Sequence, residues 1–150
     1  MILLPDANVL VLRVVGDADP EMIATHKRLS RYDQYDYAAL VEFMTPARVV
    51  LLPNVLSEVS NLAVAGLWGD RRDRVLQMLA ALIRKHEEQF VPSRSAVAHP
   101  DYSRLGLTDA AALVAQSREA VILSDDIQLC VAALNAGRRA LSFDFVRSAR

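Results

Sequence analysis

Acidic residues at four separated places along the chain could together support metal-dependent chemistry. They are Asp6, Glu58, Asp109 and the adjacent pair Asp125 and Asp126. Clustered carboxylates repel one another, and their pKa values rise unless a divalent cation lies between them. Mg²⁺ or Mn²⁺ suits such oxygen ligands and favours reactions at phosphates. These residues therefore predict a metal-assisted phosphoryl site, provided that the fold brings them together.

The order of predicted elements indicates how the acids could meet. Strands are expected at residues 2–4, 48–52, 120–124 and 140–143, with a weaker candidate at 90–92. Helices are expected at residues 8–15, 36–44, 53–62, 71–88, 108–119 and 127–136, with a loop over 92–106. Strands that alternate with helices are typical of βαβ crossovers and of a parallel sheet covered on both faces. The predicted class is α/β.

The acids lie at informative points of this order. Asp6 directly follows the first strand, and the pair Asp125 and Asp126 directly follows the penultimate strand. Ligands of open parallel sheets bind outside the carboxyl ends of the strands, so neighbouring strands here would make these carboxylates converge. Asp109 opens the helix that leads into the penultimate strand. Glu58 borders the apolar face of its helix, where a carboxylate needs a partner or a cation.

Each acid also has an ordinary structural interpretation. Asp6 and Asp125 are good N-cap residues, and Asp109 in a first helical turn interacts favourably with the helix dipole. Glu58 could simply tilt toward solvent. Taken singly, an acid is explained by capping as well as by catalysis, so the functional hypothesis depends on their convergence.

Four segments of the chain resemble the PIN-domain family of small metal-dependent nucleases. They are LLPDANVL around Asp6, PNVLSEVSNL at 53–62, LGLTDAAALVAQ at 105–116 and AVILSDDIQLCVAALNAG at 120–137. Their order and spacing extend from the first strand to the last helix. The resemblance implies a three-layer α/β/α sandwich with a central parallel sheet, and a single nuclease domain over residues 1–150.

The resemblance also implies roles for individual residues. The residues implied to be catalytic and to bind the metal are Asp6, Glu58, Asp109 and Asp126. Asn8 would support the turn behind the first acid. The family's [S/T]-x-D pattern falls on Ser124 and Asp126, with Asp125 as the variable middle position that ranks second as a ligand. One departure is Ala7, where the family often has a serine or threonine.

The function implied by the resemblance is hydrolysis of RNA phosphodiesters with Mg²⁺ or Mn²⁺ as cofactor. Many small bacterial members resemble VapC-like toxin ribonucleases, which implies a cognate antitoxin as partner and a homodimer. The alternatives are a stand-alone PIN nuclease of RNA processing and a non-catalytic PIN-like module that binds RNA or protein. Because the four-acid set is complete, we expect an active enzyme.

Composition limits the other classes of protein that this chain could be. Seventeen Lys and Arg against eighteen Asp and Glu exclude nucleic-acid binding by bulk charge, although a local basic face stays possible. A single cysteine, Cys130, cannot form an internal disulfide, and this favours a reducing cytoplasm. No apolar run reaches the roughly 18 residues of a membrane span, and the N-terminus lacks the basic region of a signal peptide. We therefore expect a cytoplasmic protein without membrane contact.

Two other classes of protein with an acidic site after the first strand do not match this sequence. A haloacid-dehalogenase-like phosphatase needs a second aspartate two positions after Asp6, where this chain has Asn8. A phospho-acceptor receiver domain needs an acidic pair by the first strand and a lysine after the last one. Neither is present in this sequence.

Other residues that could carry chemistry are interpreted as structural. Histidines without metal-ligand spacing are predicted to be surface residues, namely His26, His86 and His99. Cys130 is predicted to be a small core residue. The tyrosines at 32, 35 and 37 are expected to pack within the helical region rather than to stack on bases.

Trp68 stands beside Gly69 in the segment GLWGD, just before a basic and acidic helix. It is expected either to lie at the surface as the anchor of a dimer or antitoxin contact, or to plug the edge of the core. Arg71, Arg72 and Arg74 are expected on a solvated face, with phosphate contact as the lesser hypothesis.

Overall fold

The computed structural model describes residues 1–149, along which parallel strands and helices alternate. The strands β1 to β5 span Ile2–Pro5, Arg48–Leu51, Glu87–Glu88, Ala120–Ser124 and Arg139–Ser142. The helices α1 to α4 span Ala7–Ala18, Gln34–Met44, Pro53–Ala63 and Gly69–Lys85, and a 3₁₀ helix spans Pro20–Thr25. The helices α5 to α9 span Ser93–Val97, Tyr102–Leu105, Leu107–Ala115, Ile127–Asn135 and Phe143–Ser148. The predicted α/β class is confirmed, and the predicted domain includes residue 150, which lies outside the described residues.

The strands form one parallel sheet in the order β3-β2-β1-β4-β5 within the described residues. Strand β1 lies between β2 and β4, with Leu3 opposite Val49 on one side and Pro5 opposite Leu123 on the other. From β1, the chain first adds β2 and β3 on one side of the sheet and then adds β4 and β5 on the other side. The switch point of the sheet is therefore the carboxyl edge between β1 and β4.

Helices cover both faces of the sheet, as the sandwich architecture requires. Helix α1 contacts α2, α3 and α4, whereas α7 contacts α5, α6 and α8, and α3 and α7 also contact each other. The residues of α1 are mostly buried, and its Val9, Leu10 and Leu12 are fully inaccessible to solvent. A helix with apolar residues on nearly every side belongs in the interior. Helix α1 thus holds β1, and the acid that follows it, against a rigid core.

Several predicted boundaries are wrong, and non-local contacts explain why. Strand β3 lies at Glu87–Glu88 rather than at 90–92, because its pairing with Val50 and Leu51 of β2 defines it. Helix α4 therefore ends at Lys85 rather than at 88, and α7 ends at Ala115 rather than at 119. The predicted loop at 92–106 contains α5 and α6, which are too short to show a helical period.

The C-terminal segment also differs from the prediction. Strand β5 ends at Ser142, and Phe143 begins α9, whose first turn is capped when the Ser142 hydroxyl accepts a hydrogen bond from the Asp144 amide. Phe143 is fully buried beside the ring of Tyr32. Its apolar character therefore reflects packing of a helix rather than the end of a strand.

Two further expectations concern burial and membrane contact. Cys130 is buried, so its predicted place in the core is confirmed. In residues 1–149, none of the helices has both the length and the apolar character that crossing a bilayer demands.

A close approach between α1 and α2 gives the first testable prediction. A Cβ at Gly16 would overlap the ring of Tyr37, whose hydroxyl donates a 2.7 Å hydrogen bond to Asp17. The gain in helix propensity from Gly16→Ala is about 1 kcal/mol, but overpacking typically costs about 1–3 kcal/mol. We expect a net loss of about 1 kcal/mol in the free energy of unfolding, measured by urea denaturation.

A double-mutant cycle with Tyr37→Leu provides the control for this prediction. Removing the ring leaves room for the new methyl group, so Gly16→Ala should be harmless or stabilising in that background. An equal loss of stability in both backgrounds would contradict the proposed overlap.

Candidate functional site

The carboxyl ends of β1 and β4 lie side by side, and the first predicted acid stands at this point. The Asp6 amide donates a 2.8 Å hydrogen bond to the Leu123 carbonyl oxygen. This bond continues the pairing of β1 with β4 by one residue beyond Pro5. The two strands are therefore neighbours, which is the condition for convergence of their carboxylates, and Asp6 lies next to the turn formed by residues 124–126.

Ser124 connects the two strand ends through its side chain. Its buried hydroxyl donates a 2.7 Å hydrogen bond to Asp6 Oδ2 and accepts a 2.9 Å hydrogen bond from the Asp126 amide. The hydroxyl therefore orients the carboxylate of Asp6 and contacts Asp126 only through its backbone.

Helix capping by the acids coexists with their place at the sheet edge. Asp6 caps α1 by accepting a 2.7 Å hydrogen bond from the Ala7 amide. At the second turn the N-cap of α8 is Asp126 rather than Asp125, and its Oδ1 accepts from the amides of Gln128 and Leu129. The structural interpretation of these acids is therefore correct in part, and it does not remove them from the edge.

One cavity of about 300 Å³ is lined by all four acids that the resemblance implies. Asp6 comes from the end of β1, Glu58 from α3, Asp109 from the first turn of α7, and Asp126 from the start of α8. The side chains of Asn8 and Thr108 share the cavity wall. Asp6 and Asp109 are half-buried, whereas Glu58 and Asp126 are exposed. The structure thus brings together acids that are separated by as many as 120 positions in the sequence (126 − 6).

The pKa values of these acids show that they share one electrostatic environment. The pKa of Asp109 is raised to about 7, first by burial and then by the charges of Asp6, Asp126 and Glu58, in that order of importance. The three named carboxylates lie close enough to disfavour ionisation of the fourth. Each therefore contributes to one concentrated negative site.

The same effects act on two other members of the set. Burial raises the pKa of Asp6, against the hydrogen bonds from Ser124 and Ala7, which lower it. The pKa of Glu58 is raised first by burial and then by the charge of Asp6, while the nearby Arg28 lowers it. A divalent cation would relieve both burial and repulsion, because it favours the ionised form of every carboxylate.

The arrangement of the side chains is open rather than a closed cage. Within residues 1–149 there is no group of three or more histidine, cysteine, aspartate or glutamate side chains arranged so that they could hold a metal ion. The donor chemistry is nonetheless that of a site for a hard cation, since each of the four acids offers carboxylate oxygens. The assignment of Asp6, Glu58, Asp109 and Asp126 as metal ligands therefore stays a prediction.

Asp125 is separated from this cavity, unlike its neighbour. Its side chain is 6% exposed and accepts a 2.5 Å hydrogen bond from the Tyr32 hydroxyl. It also accepts a 3.4 Å hydrogen bond from Asn8 Nδ2 and lies 3.5 Å from an Arg31 guanidinium nitrogen. Asp125 therefore anchors the turn, while Asp126 lines the cavity. The contact with Asn8 connects the starts of α1 and α8.

Tyr32 is a supporting residue that the sequence did not reveal. Burial and the hydrogen bond to Asp125 raise the pKa of its hydroxyl, so it stays a donor. Its ring packs against Phe143 and has the guanidinium groups of Arg31 and Arg147 within 5.7 Å and 5.1 Å of its centroid. No spacing could have indicated the contact with Asp125, which is 93 positions away.

The prediction of a surface position is wrong for His26. This side chain is 5% exposed, its Nε2 lies 2.8 Å from the Ala63 carbonyl oxygen, and its Nδ1 accepts a hydrogen bond from the Arg28 amide. The acceptor role of Nδ1 leaves the proton on Nε2, which donates to Ala63. His26 thereby fixes the segment at 26–28 to the end of α3. His86 and His99 are half-buried.

Trp68 lies at the surface, as one of its two interpretations required. It is 81% exposed, so it does not plug the edge of the core. It lies in a groove of about 580 Å³ that is larger than the carboxylate cavity and contains a single acid, Asp70, among its lining residues.

Comparisons with known proteins leave the function open. No family model matches the chain, and no curated protein matches it. Among solved structures, it is similar to a domain of a functionally unknown protein from Methanocaldococcus jannaschii DSM 2661. The TM-score is 0.48 at 17% identity, over 94% of this chain and 89% of that one.

The pKa of Asp109 gives a prediction about stability. Because folding raises it from 3.8 to about 7, the folded protein holds a proton that the unfolded chain has lost over this interval. Its contribution to stability is complete below pH 3.8 and is lost as the pH rises to about 7. Without divalent cations, Asp109→Asn should therefore be more stable than wild type at pH 8 by roughly 1–2 kcal/mol, a value reduced for partial exposure.

Urea denaturation at pH 4 and pH 8 checks this expectation. The advantage of Asp109→Asn should shrink toward the acidic condition. Asp73→Asn, at an exposed acid of α4 outside the cavity, is the matched control and should show no such trend. Equal gains from the two variants would show that repulsion in the cavity is not the cause.

Proposed function

We propose that the protein is a Mg²⁺- or Mn²⁺-dependent endoribonuclease of the PIN type that hydrolyses RNA phosphodiesters. The observation that supports this best is the single cavity lined by Asp6, Glu58, Asp109 and Asp126 at the switch point of the sheet. A crevice at this position is where open α/β sheets bind their ligands. The acids come from four separate elements, so capping alone does not explain their convergence.

The residues fit a hard divalent cation by the chemistry of their donors. Asp6, Glu58, Asp109 and Asp126 would hold it, with Asp6 oriented by the hydroxyl of Ser124. When bound, the ion supplies a Lewis acid for the scissile phosphate and for a water molecule. The carboxylates themselves exclude the anionic phosphate until their charge is compensated, which makes catalysis dependent on the metal.

The choice of RNA as substrate and the biological role come from the resemblance of the four sequence segments. On that basis we propose a toxin of a toxin–antitoxin pair that acts in the cytoplasm, forms a homodimer and is restrained by an antitoxin protein. Induced expression in bacteria tests the role. Growth arrest with wild type, but not with Asp6→Asn at matched protein levels, is the expected result, and equal growth would contradict a toxin.

Cleavage of RNA tests the activity directly. Purified wild type should cut single-stranded RNA in Mg²⁺ or Mn²⁺ and not in EDTA. Asp6→Asn and Asp109→Asn should each lose about 100-fold or more in rate, because each removes a carboxylate from the proposed metal set. Labelled oligonucleotides resolved on denaturing gels measure the rate, with DNA of the same sequence as the test of substrate class.

Asp73→Asn is the matched control for this assay, since it removes one carboxylate from α4 outside the cavity. It should cleave at the wild-type rate. Retained cleavage in both cavity variants would overturn the site. A folded wild type that cleaves no RNA but binds it would favour the non-catalytic module.

Cation binding can be tested without any substrate. Mg²⁺ or Mn²⁺ should raise the thermal midpoint of wild type, because a ligand that binds only the folded state stabilises it by mass action. The shift should be lost in Asp6→Asn and retained in Asp73→Asn, measured by differential scanning fluorimetry across a metal titration. A wild-type midpoint that does not respond to either metal would contradict the proposed centre.

A further inference from the structure

A basic and aromatic surface lies at the end of α3, the helix that carries Glu58. We define this surface, the Trp68 surface, by Lys27, Arg28, Trp68 and Arg71. Arg28 lies two residues after His26, which bonds to the last residue of α3, the helix that carries Glu58, so the surface begins at a helix that forms one wall of the cavity. Arg71 and Trp68 line the groove of about 580 Å³ at the other end.

Two contacts hold the parts of this surface together. His26 bonds to the Ala63 carbonyl oxygen at the last residue of α3, which also carries Glu58. Ala63 lies five positions after Glu58, which corresponds to about 7.5 Å along the helix axis. Beyond α3, the side chain of Lys27 lies against Gly66, since a Cβ at Gly66 would be 3.7 Å from Lys27 Cε.

The backbone around Trp68 presents its ring outward. Gly66 and Gly69 have φ angles of +78° and +60°, a region that side chains other than glycine rarely adopt. Between these turns Trp68 has an extended backbone and precedes α4 without capping it by a side-chain hydrogen bond. An indole that is 81% exposed, on a segment that is bounded by two glycine turns, offers a flat face on which another ring can stack.

The charges of the surface favour a polyanion. Lys27, Arg28 and Arg71 are exposed cations, and Asp70 is the acid that lines the groove together with Arg71. Proteins that bind single-stranded nucleic acid combine cations along the backbone path with aromatic side chains on which bases stack. A protein partner docked on Trp68 would not by itself account for the exposed cations Lys27 and Arg28 near the end of α3.

We propose that the Trp68 surface binds single-stranded RNA, with one base stacked on Trp68 and the backbone guided by Lys27, Arg28 and Arg71 toward the carboxylate cavity. This inference rests on the proposed function for the identity of its ligand. It adds that the uncleaved part of the substrate extends along the end of α3 and the start of α4. Substrate affinity and cleavage would accordingly reside in different side chains.

The intrinsic fluorescence of the protein tests this proposal, because Trp68 is the single tryptophan of the chain. Titration of the full chain with a single-stranded RNA oligonucleotide in EDTA, where metal-dependent cleavage cannot occur, should quench the emission. Binding of the same labelled oligonucleotide, followed by anisotropy, should weaken about ten-fold in Trp68→Ala and little in Trp68→Phe, which keeps a stacking ring.

Variants that remove positive charge test the contribution of the cations to RNA binding separately from stacking on Trp68. Lys27→Ala with Arg28→Ala should reduce the dependence of log K on log salt by about 1.4, from about 0.7 per phosphate contact on a single strand. Arg118→Ala is the matched control, because this exposed arginine precedes β4 at the opposite edge of the sheet. Its salt dependence and affinity should equal those of wild type.

The outcomes distinguish this inference from the proposed nuclease activity. Unchanged RNA affinity in Trp68→Ala, or RNA binding without quenching, would overturn the inference even if wild type cleaves RNA. Quenching and weakened binding in Trp68→Ala, with no cleavage by wild type in Mg²⁺ or Mn²⁺, would support the surface and contradict the nuclease. A shift of Trp68→Ala from dimer to monomer with normal RNA affinity would assign the ring to a second copy of the chain.

Discussion

The hydrogen bond between Ser124 and Asp6 is the contact on which the arrangement of the site depends. Asp6 stands where burial and neighbouring carboxylates both oppose its charge, and the Ser124 hydroxyl stabilises that charge from the adjacent strand. The bond is possible only because β1 and β4 pair in register, which places Pro5 opposite Leu123. The fully buried residues of α1 and the central strands keep that register from shifting. The apolar core therefore supplies the rigidity that like charges at close range require.

Much of this edge could be predicted because its determinants are local in the sequence. The apolar segment before Asp6 and the segment before Asp125 are recognisable as buried strands, and their acids follow immediately. A strand pattern does not show which strands are neighbours. The convergence of the acids depended on the adjacency of β1 and β4, which only the structure shows. The place of Glu58 beside the cavity depended on α3 contacting α7, which no local pattern reports.

The elements that sequence reasoning missed are those that exist through distant partners. Strand β3 is two residues long and is defined by pairing with β2, while α9 is short and is held by Phe143 in the core. The contact between Tyr32 and Asp125 is equally hidden, because a tyrosine near a helix start gives no sign of a carboxylate so far along the chain. His26 was misplaced for the same reason, since its partner is a backbone carbonyl oxygen of α3.

A continuous set of polar contacts leads from the turn after β4 to the last helix. Asp36 is fully buried and pairs with Arg147 of α9 at 3.0 Å, and that guanidinium also lies over the ring of Tyr32. Because Tyr32 in turn holds Asp125, the end of the chain stabilises the turn that carries Asp126. A buried charge is strongly destabilising when its partner is removed. Because Arg147 is the partner of Asp36, α9 helps to stabilise the turn that carries Asp126.

The different orientations of Asp125 and Asp126 constrain how this turn can change during evolution. One carboxylate points toward Tyr32 and anchors the loop, and the next lines the cavity. A one-residue insertion or deletion between β4 and α8 would exchange these positions, because successive side chains of an extended backbone point in opposite directions. The acid that bonds to Tyr32 would then face the cavity, and the acid that lines the cavity would face Tyr32. Natural variants of this fold should therefore tolerate substitutions here more readily than changes in loop length.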